Sequence, residues 1–504
     1  MAQYKQSDIT KPFWATNDGF KGGRDPMGIQ NSSVATYGRL LPGLTNLTGH
    51  IRYYSLYCWL LSEYKNLTIV GKIDIHQYNF IRRAELALAL IMKDSNIGSV
   101  VGALFVSQKK YKIIEEGVYN LADGADYNSK EKYWTYQTGA FGQYYVGSLI
   151  SCNLVKIEEG WFYLLSSGEQ LASAVRKTVD KDIRDLFLDC IIKGRISDND
   201  IKTLNPLGLN KLSKDTVEWE SLNHLLTKQD EGNSMRRETV LLMLKDIDSG
   251  ISVKEFVEHR FKNVEQDIKY DAAFGWYFYY LCEAFHYCIE SIFCYILNEI
   301  SDLHNPTIKV LNEDIRMNIL SYLEEEKKFL SLNEWKENID GVIVEMFGDL
   351  KKLVHEKNYS QAAALSIKLM LRLLLEFEMN KKDILEFESK NELTHQRGIL
   401  SDGLKSYITV HSSLTIEKYI ETIVYQIMQE HTIIAIGKMG NNDKDLRKFV
   451  FEDGNVVLVE TRFPTETSPR INSLYNFLVD LNYINSKGKL TDIAKNFIRN
   501  YGND

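Results

Sequence analysis

Apolar residues recur at helical spacing over most of this chain, and the places where that rhythm breaks outline its architecture. Across residues 49–64, Ile51, Tyr54, Ser55, Cys58 and Leu61 share one helical face, and Leu56, Trp59 and Leu60 widen it. The pattern predicts a helix buried over much of its circumference, with Thr48 as its N-cap. A shorter helix over residues 33–41, stopped by Pro42-Gly43, should precede it, and the periodicity of residues 73–93 predicts another after it. Upstream, Gly22, Gly23, Asp25-Pro26 and Gly28 are turn formers, so the chain enters its first helix through a shaped polar loop. Constraint at this density predicts a fixed surface over residues 22–61.

Twice the helical rhythm gives way to short apolar runs around a turn. Residues 133–175 read as a helix ending near Leu154, a strand, a turn at Glu159-Gly160, a second strand and a helix starting after Ser166. That order is the outline of a winged helix. Near the other end, a helix over residues 416–429 leads to two strands joined by Asp453-Gly454. Ser468 then suits an N-cap with Pro469 at the first helical position, and Ile471, Leu474, Tyr475, Leu478 and Leu481 form an apolar face. A turn at residues 485–488 would make a short wing, with Thr491 starting a last helix. Between these modules, residues 178–400 are helical with only Pro206 and Pro306 as proline breakers. Their aromatic stretch, residues 272–296, is interrupted by Glu283, His286 and Glu290, so a buried central helix is expected rather than a membrane span. The fold class expected is therefore mostly α: a multi-domain helical protein with two winged-helix-like modules carrying short β-hairpins. Its expected divisions are a helical domain at 1–120, a winged-helix-like module at 130–178, a helical domain at 179–400 and a hairpin plus winged-helix module at 411–504.

The 504 residues, 44% apolar and 25% charged, have the composition of an ordinary globular chain with room for more than one core. A net charge of −8 excludes a global attraction to nucleic acid, so any such contact must come from a local patch. The six cysteines form no CxxC pair and no zinc-ligand spacing, and the N-terminus has no apolar core of signal-peptide length. A reduced, cytoplasmic protein is expected. Walker, GxSxG, HExxH and kinase signatures are absent from the sequence, and neither a cofactor nor a metal is assigned.

Within the second module, Arg470, Asn472, Ser473 and Asn476 would lie along the solvent side of the helix, with Lys487 and Lys489 on the wing. These residue types can position on phosphates and reach base edges, although winged helices also serve as protein interaction modules. In the first module Gln143, Tyr144, Ser148 and Lys156 would face a partner, but Glu158 and Glu159 at the wing tip would repel phosphate. Arg24 and Arg52 are candidates for a phosphate or partner contact, the plainer alternative being an arginine stacked on tyrosine that ties two helices together. Glu283/His286 and Glu392/His395 have the spacing that di-iron helical bundles use, and a buried histidine satisfied by its neighbouring glutamate explains the same spacing more simply. Glu452 or Asp453, followed by Glu460, loosely resembles the carboxylates of a magnesium-dependent nuclease. Arg462, however, stands where such a site has lysine, and its guanidinium stays protonated.

The stretch DPMGIQNSSVATYGRLLPGLTNLTGHIRYYSLYCWLL has a Met-Gly-Ile segment, a Leu-Pro-Gly turn and an Arg-Tyr-Tyr helix ending in Trp-Leu. It resembles the N-terminal signature of poorly characterised bacterial proteins encoded in anti-phage defence islands. The resemblance covers about forty residues and includes no catalytic motif. It implies a subunit acting beside a nuclease, helicase or ATPase encoded nearby. The function expected is that of a non-enzymatic DNA-binding or scaffolding subunit of a multi-protein defence or DNA-processing complex, with double-stranded DNA as a further candidate partner and no membrane. The alternative is a metal-dependent nuclease using Asp453 and Glu460.

Overall fold

The computed structural model describes residues 25–95, 97–108, 113–228, 234–267, 269–394, 398–439 and 445–501. Among them are 22 α-helices and seven short strands, the latter in antiparallel sheets of two or three, so the protein is mostly α as its periodicity predicts. No described helix is long and apolar enough to cross a membrane.

The chain divides into two compact units, neither of them continuous. One comprises Met1–Gly38, Val257–Ile268 and Phe274–Thr467; the other comprises Arg39–Phe256, Lys269–Ala273 and Ser468–Asp504. The expected division at about residues 120, 178 and 400 does not map onto them. In particular, the Asp453-Gly454 hairpin belongs to the first unit and the last two helices to the second. Turn-rich stretches mark loops in a sequence, but they carry no signal that the chain returns to a core it left earlier.

The first unit is built on the aromatic helix, Asp271–Asp302, from Phe274 onward. Rings meet it from four other segments. Phe347 of the Ile343–His355 helix lies edge-on to Tyr280 and Tyr287, with centroids 5.6 and 5.5 Å away. Phe387 packs on Phe278 at 5.2 Å, Tyr407 on Phe285 at 6.0 Å, and His431 on Phe293 at 4.6 Å. A helix with apolar side chains all round can be stable only when neighbours cover every face, which is what these contacts achieve. The hairpin pairs Phe449–Glu452 with Asn455–Leu458. Asp453 (φ 49°) and Gly454 (φ 80°) supply the two positive φ angles that a two-residue hairpin turn needs.

The second unit is organised around the helix Arg52–Ile69, in which twelve residues are buried. It packs chiefly against Ser166–Thr178, with Gln77–Ile91 and Val217–Thr227 beside it. The helix begins at Arg52 rather than at Gly49 because Thr48 is spent on its own turn: its Oγ1 accepts from the Thr45 N–H at 3.0 Å and donates to the Thr45 carbonyl at 2.9 Å. Gly43 (φ 79°) is fixed by a close approach, since a Cβ there would lie 2.3 Å from Cys152 Sγ. Residues 133–178 run as the sequence predicts. A π-helical turn, Phe141–Tyr145, continues into Val146–Ser151, the hairpin Val155–Glu158 and Trp161–Leu164 follows, and Ser166–Thr178 closes the segment. A three-stranded antiparallel sheet, Ile113–Glu115, Val118–Asn120 and Arg195–Ser197, was not expected from the pattern. Its strands are too short to show an alternation.

The opening stretch does not form the surface predicted for it. Leu40, Leu41, Leu44, Tyr53, Tyr54, Tyr57 and Trp59 are all buried in the second unit, and Met27 and Ile29 are buried in the first. The tyrosine hydroxyls find internal partners, which lets them stay inside: Tyr54 donates to the Gly43 carbonyl at 2.5 Å, and Tyr53 accepts from the Val101 N–H at 2.9 Å.

Candidate functional site

The helix Ile471–Asp480 carries Asn472, Ser473 and Asn476 of the sequence-predicted contact residues, with Arg470 at its cap and Lys487 and Lys489 in the turn before the last helix, Asp492–Tyr501. The first of the two helices starts later than Ser468-Pro469 would place it. Arg470 takes the cap position in a left-handed conformation, φ 64°, with no side-chain cap bond. Its Nη1 donates to the Leu41 carbonyl at 3.2 Å, and the buried Ser473 hydroxyl donates to the Thr45 carbonyl at 2.8 Å. Arg470 and Ser473 therefore anchor the 41–45 loop. Asn472, Lys487 and Lys489 are exposed and Asn476 is half-buried. The expected wing is reduced to a single bridge between Ile484 and Leu490, closed by Asn485 Oδ1, which accepts from the Lys487 and Lys489 N–H groups at 2.9 and 3.1 Å. That turn presents both lysines to solvent. Sequence reasoning missed Lys495 and Arg499, exposed one helical turn apart on the last helix, although their i, i+4 spacing was a readable signal.

Arg52 is placed as a tie rather than as a contact. It is 1% exposed and its guanidinium meets Glu218 in parallel, Nε to Oε1 at 3.1 Å and Nη2 to Oε2 at 3.0 Å. Nη1 donates to the Pro206 and Gly208 carbonyls at 2.9 and 2.6 Å. This planar, forked pairing is what arginine provides and lysine cannot. Arg24 lies outside the described residues.

Glu283, His286 and Glu290 share a face of the aromatic helix and together hold an extended segment against it. Glu283 accepts from the Thr467 N–H at 2.5 Å and its hydroxyl at 2.6 Å. His286 Nε2 donates to the Thr465 carbonyl at 3.1 Å, and Glu290 accepts from the Thr465 N–H at 3.0 Å and from Gln30 Nε2 at 2.6 Å. Burial alone pulls the His286 pKa down, but the carboxylates of Glu283 and Glu290 outweigh it and the imidazole sits above its ordinary value. The Glu-x-x-His pair thus binds backbone. Of the second pair, Glu392 sits in a turn at φ 55°, and His395 lies outside the described residues. Among the described residues, no group of three or more His, Cys, Asp or Glu side chains is placed to hold a metal ion. Asp453 and Glu460 fall at opposite ends of the hairpin, the first in its turn and the second beside Lys448, whose ammonium binds it and holds its carboxyl below the usual range.

A second buried histidine in the same unit has the opposite electrostatics. His431 Nδ1 donates to the Pro26 carbonyl at 3.0 Å while Nε2 accepts from the Lys448 N–H at 2.9 Å, an arrangement only the neutral ring can make. Burial, with Lys448 and Lys438 nearby, pushes its pKa down to about 4 from 6.5. Because the folded value lies below the unfolded one, His431 contributes its full stability above pH 6.5 and loses it as pH falls towards 4. The expected loss is about 3 kcal/mol across that window. His431→Gln keeps a donor and an acceptor but does not titrate, so thermal melts of the variant should fall less steeply between pH 6.5 and 4 than those of the natural chain. Equal slopes would show that His431 is not held neutral.

The chain matches no protein-family model, no curated protein and no solved structure.

Proposed function

We propose that this chain is a non-enzymatic binding and scaffolding subunit of a multi-protein bacterial anti-phage defence or DNA-processing assembly, and that its last two helices touch duplex DNA. The reading rests on the local charge of residues 468–501. There Arg470, Lys487, Lys489, Lys495 and Arg499 stand against Asp480 and Asp492, an excess of positive charge within a chain of net charge −8. Four of the five basic residues are exposed, and Asn472 is exposed beside them. Phosphate contacts need local cations of this kind, and the amide offers hydrogen bonds to a base edge. The interior ionisable residues support a binding role as well, because Arg52, Glu218, Glu283, His286 and Glu290 are all engaged in holding backbone or one another. The defence setting, and a nuclease, helicase or ATPase as partner, rest on the resemblance of the opening stretch. A cytoplasmic setting accords with six free cysteines.

Binding of the purified chain to a duplex DNA fragment across a salt series tests the DNA contact. Affinity should fall with salt, and Lys487→Ala/Lys489→Ala should reduce the slope of log affinity against log salt by about 2, one charge-neutralising contact for each lysine. Arg470 is left in place because it anchors the 41–45 loop. Absence of binding at every salt concentration would sink the DNA contact and leave a protein scaffold.

A further inference from the structure

On the second unit, the helix Ile471–Asp480 forms one wall of an open cleft of about 460 Å³. Beside the His50–Asp480 pair and Ser99, its lining has amide and aliphatic residues. Asn210, Asn476 and Asn482 line it, and no side-chain hydrogen bond joins any of the three to another described residue. Between them lie aliphatic side chains, notably Ile97, Leu212 and Val479.

The walls are fixed by an ion-paired histidine. His50 donates from Nδ1 to Asp480 Oδ1 at 3.1 Å and from Nε2 to the Gly98 carbonyl at 2.9 Å, while the Ile51 N–H donates to Asp480 Oδ2 at 3.1 Å. The loop at residues 97–99 and the end of the helix are thereby tied to one residue. Gly49 allows the loop to come this close, since a Cβ there would lie 2.1 Å from Ser99 Cβ. Tied walls spare the backbone's share of the ordering cost, while the amide side chains are ordered by the ligand itself.

The lining also selects among ligands. Among the described residues no lysine or arginine lines the cleft, and the His50 imidazole there is already paired with Asp480, so a phosphate-bearing ligand would meet no free counter-charge from them. Among the described residues no tyrosine, tryptophan or phenylalanine lines it either, so a nucleobase would find no ring there to stack on. A carboxamide offers one donor edge and one acceptor edge, which matches the alternating N–H and C=O groups of an extended main chain. The aliphatic residues of the lining match an apolar side chain projecting from that main chain.

We infer that this cleft binds an extended peptide segment of a partner protein, with Asn210, Asn476 and Asn482 gripping its main chain and Ile97, Leu212 and Val479 receiving one aliphatic side chain. The inference rests on the scaffolding reading for the existence of a partner, but not on the DNA contact, and it assigns Asn476 to the peptide rather than to a base.

An array of random hexapeptides, acetylated and amidated so that neither end is charged, tests the assignment with the full-length chain. The chain should select sequences sharing one aliphatic position. In solution, the best of these should bind about tenfold more weakly to Asn476→Ala and to Asn482→Ala, the loss expected for one or two main-chain hydrogen bonds. Asn476 is half-buried and Asn482 is exposed at φ 58°, so Asn476→Ala should melt with the natural chain and Asn482→Ala slightly below it; melts are compared first, with Asn482→Gly as the strain-free control. Binding should change little with salt, unlike the DNA contact, and should survive Lys487→Ala/Lys489→Ala, so that either reading can fail alone. Selection of no shared sequence, or equal binding by both asparagine variants, overturns the proposal. Adenosine binding that the same substitutions abolish would overturn it too, by making the cleft a nucleoside site.

Discussion

Glu218→Ala is expected to destabilise the second unit by about 3–5 kcal/mol, because it leaves the Arg52 guanidinium charged, buried and stripped of its counter-ion. Neither partner can recover by turning to water, since Arg52 is 1% exposed and Glu218 fully buried. The carboxylate also lies 2.7 Å from the Ser55 hydroxyl, which in its absence can donate to the Arg52 carbonyl at 2.9 Å, so the cost falls on the arginine. What Arg52 keeps, the carbonyls of Pro206 and Gly208, carries only partial negative charge. The double substitution Arg52→Met/Glu218→Leu should recover most of the loss, because two apolar side chains of similar size avoid both desolvation costs. Urea denaturation of the natural chain, both single variants and the pair closes the cycle. A loss below about 1 kcal/mol for Glu218→Ala would mean that the pair is not sealed from water as described.

This pair also marks the limit of what could be read in advance. Arg52 stood out in the sequence because it sits among Tyr53, Tyr54 and Tyr57, and tying helices together was the plainer of its two roles. Nothing local indicates Glu218, 166 residues away, or the two carbonyls that complete the arrangement. Features set by neighbours in sequence were legible. The turns at Glu159-Gly160 and Asp453-Gly454 adopt positive φ at both residues, and the aromatic stretch 272–296 is a buried helix, although it extends to Asp271–Asp302. Features set by return of the chain were not. The opening stretch was expected to be a surface because turn formers and aromatics cluster there, yet aromatic side chains on all sides of one helix are equally the mark of burial. The contact residues divided on the same principle. Alternation along a helix places Asn472 outward correctly, but it could not show that Ser473 would meet Thr45 or that Arg470 would meet Leu41. The Asn210, Asn476 and Asn482 cleft was beyond reach for the same reason, since Asn210 lies far before the other two in the chain.

A comparable effect is expected at Glu85, which lies fully buried at the centre of the second unit and receives hydrogen bonds from four donors. Tyr57 donates its hydroxyl at 2.7 Å and Tyr133 donates its own; the Phe141 and Ala140 N–H groups follow at 2.7 and 3.2 Å. Burial pushes the Glu85 carboxyl up, and these donors, with Arg82 nearby, oppose the shift. Two of the donors open the π-helical turn Phe141–Tyr145, so a side chain from the Gln77–Ile91 helix supplies the acceptor that this turn lacks at its own start. Glu85→Leu removes every acceptor at once and should cost roughly 3–5 kcal/mol, since each buried donor left unpaired costs about 1–3 kcal/mol and partial relaxation recovers some of that. Glu85→Gln keeps one acceptor oxygen but points an amide donor at groups that are donors themselves. It should therefore destabilise less than leucine while still opening the turn. Amide hydrogen exchange can separate the two consequences. If Glu85 caps the turn, exchange at Phe141 and Ala140 should accelerate in the glutamine variant well before the Arg52–Ile69 helix loses protection. If both segments lose protection together, the carboxylate serves the core as a whole and the turn has no separate dependence on it.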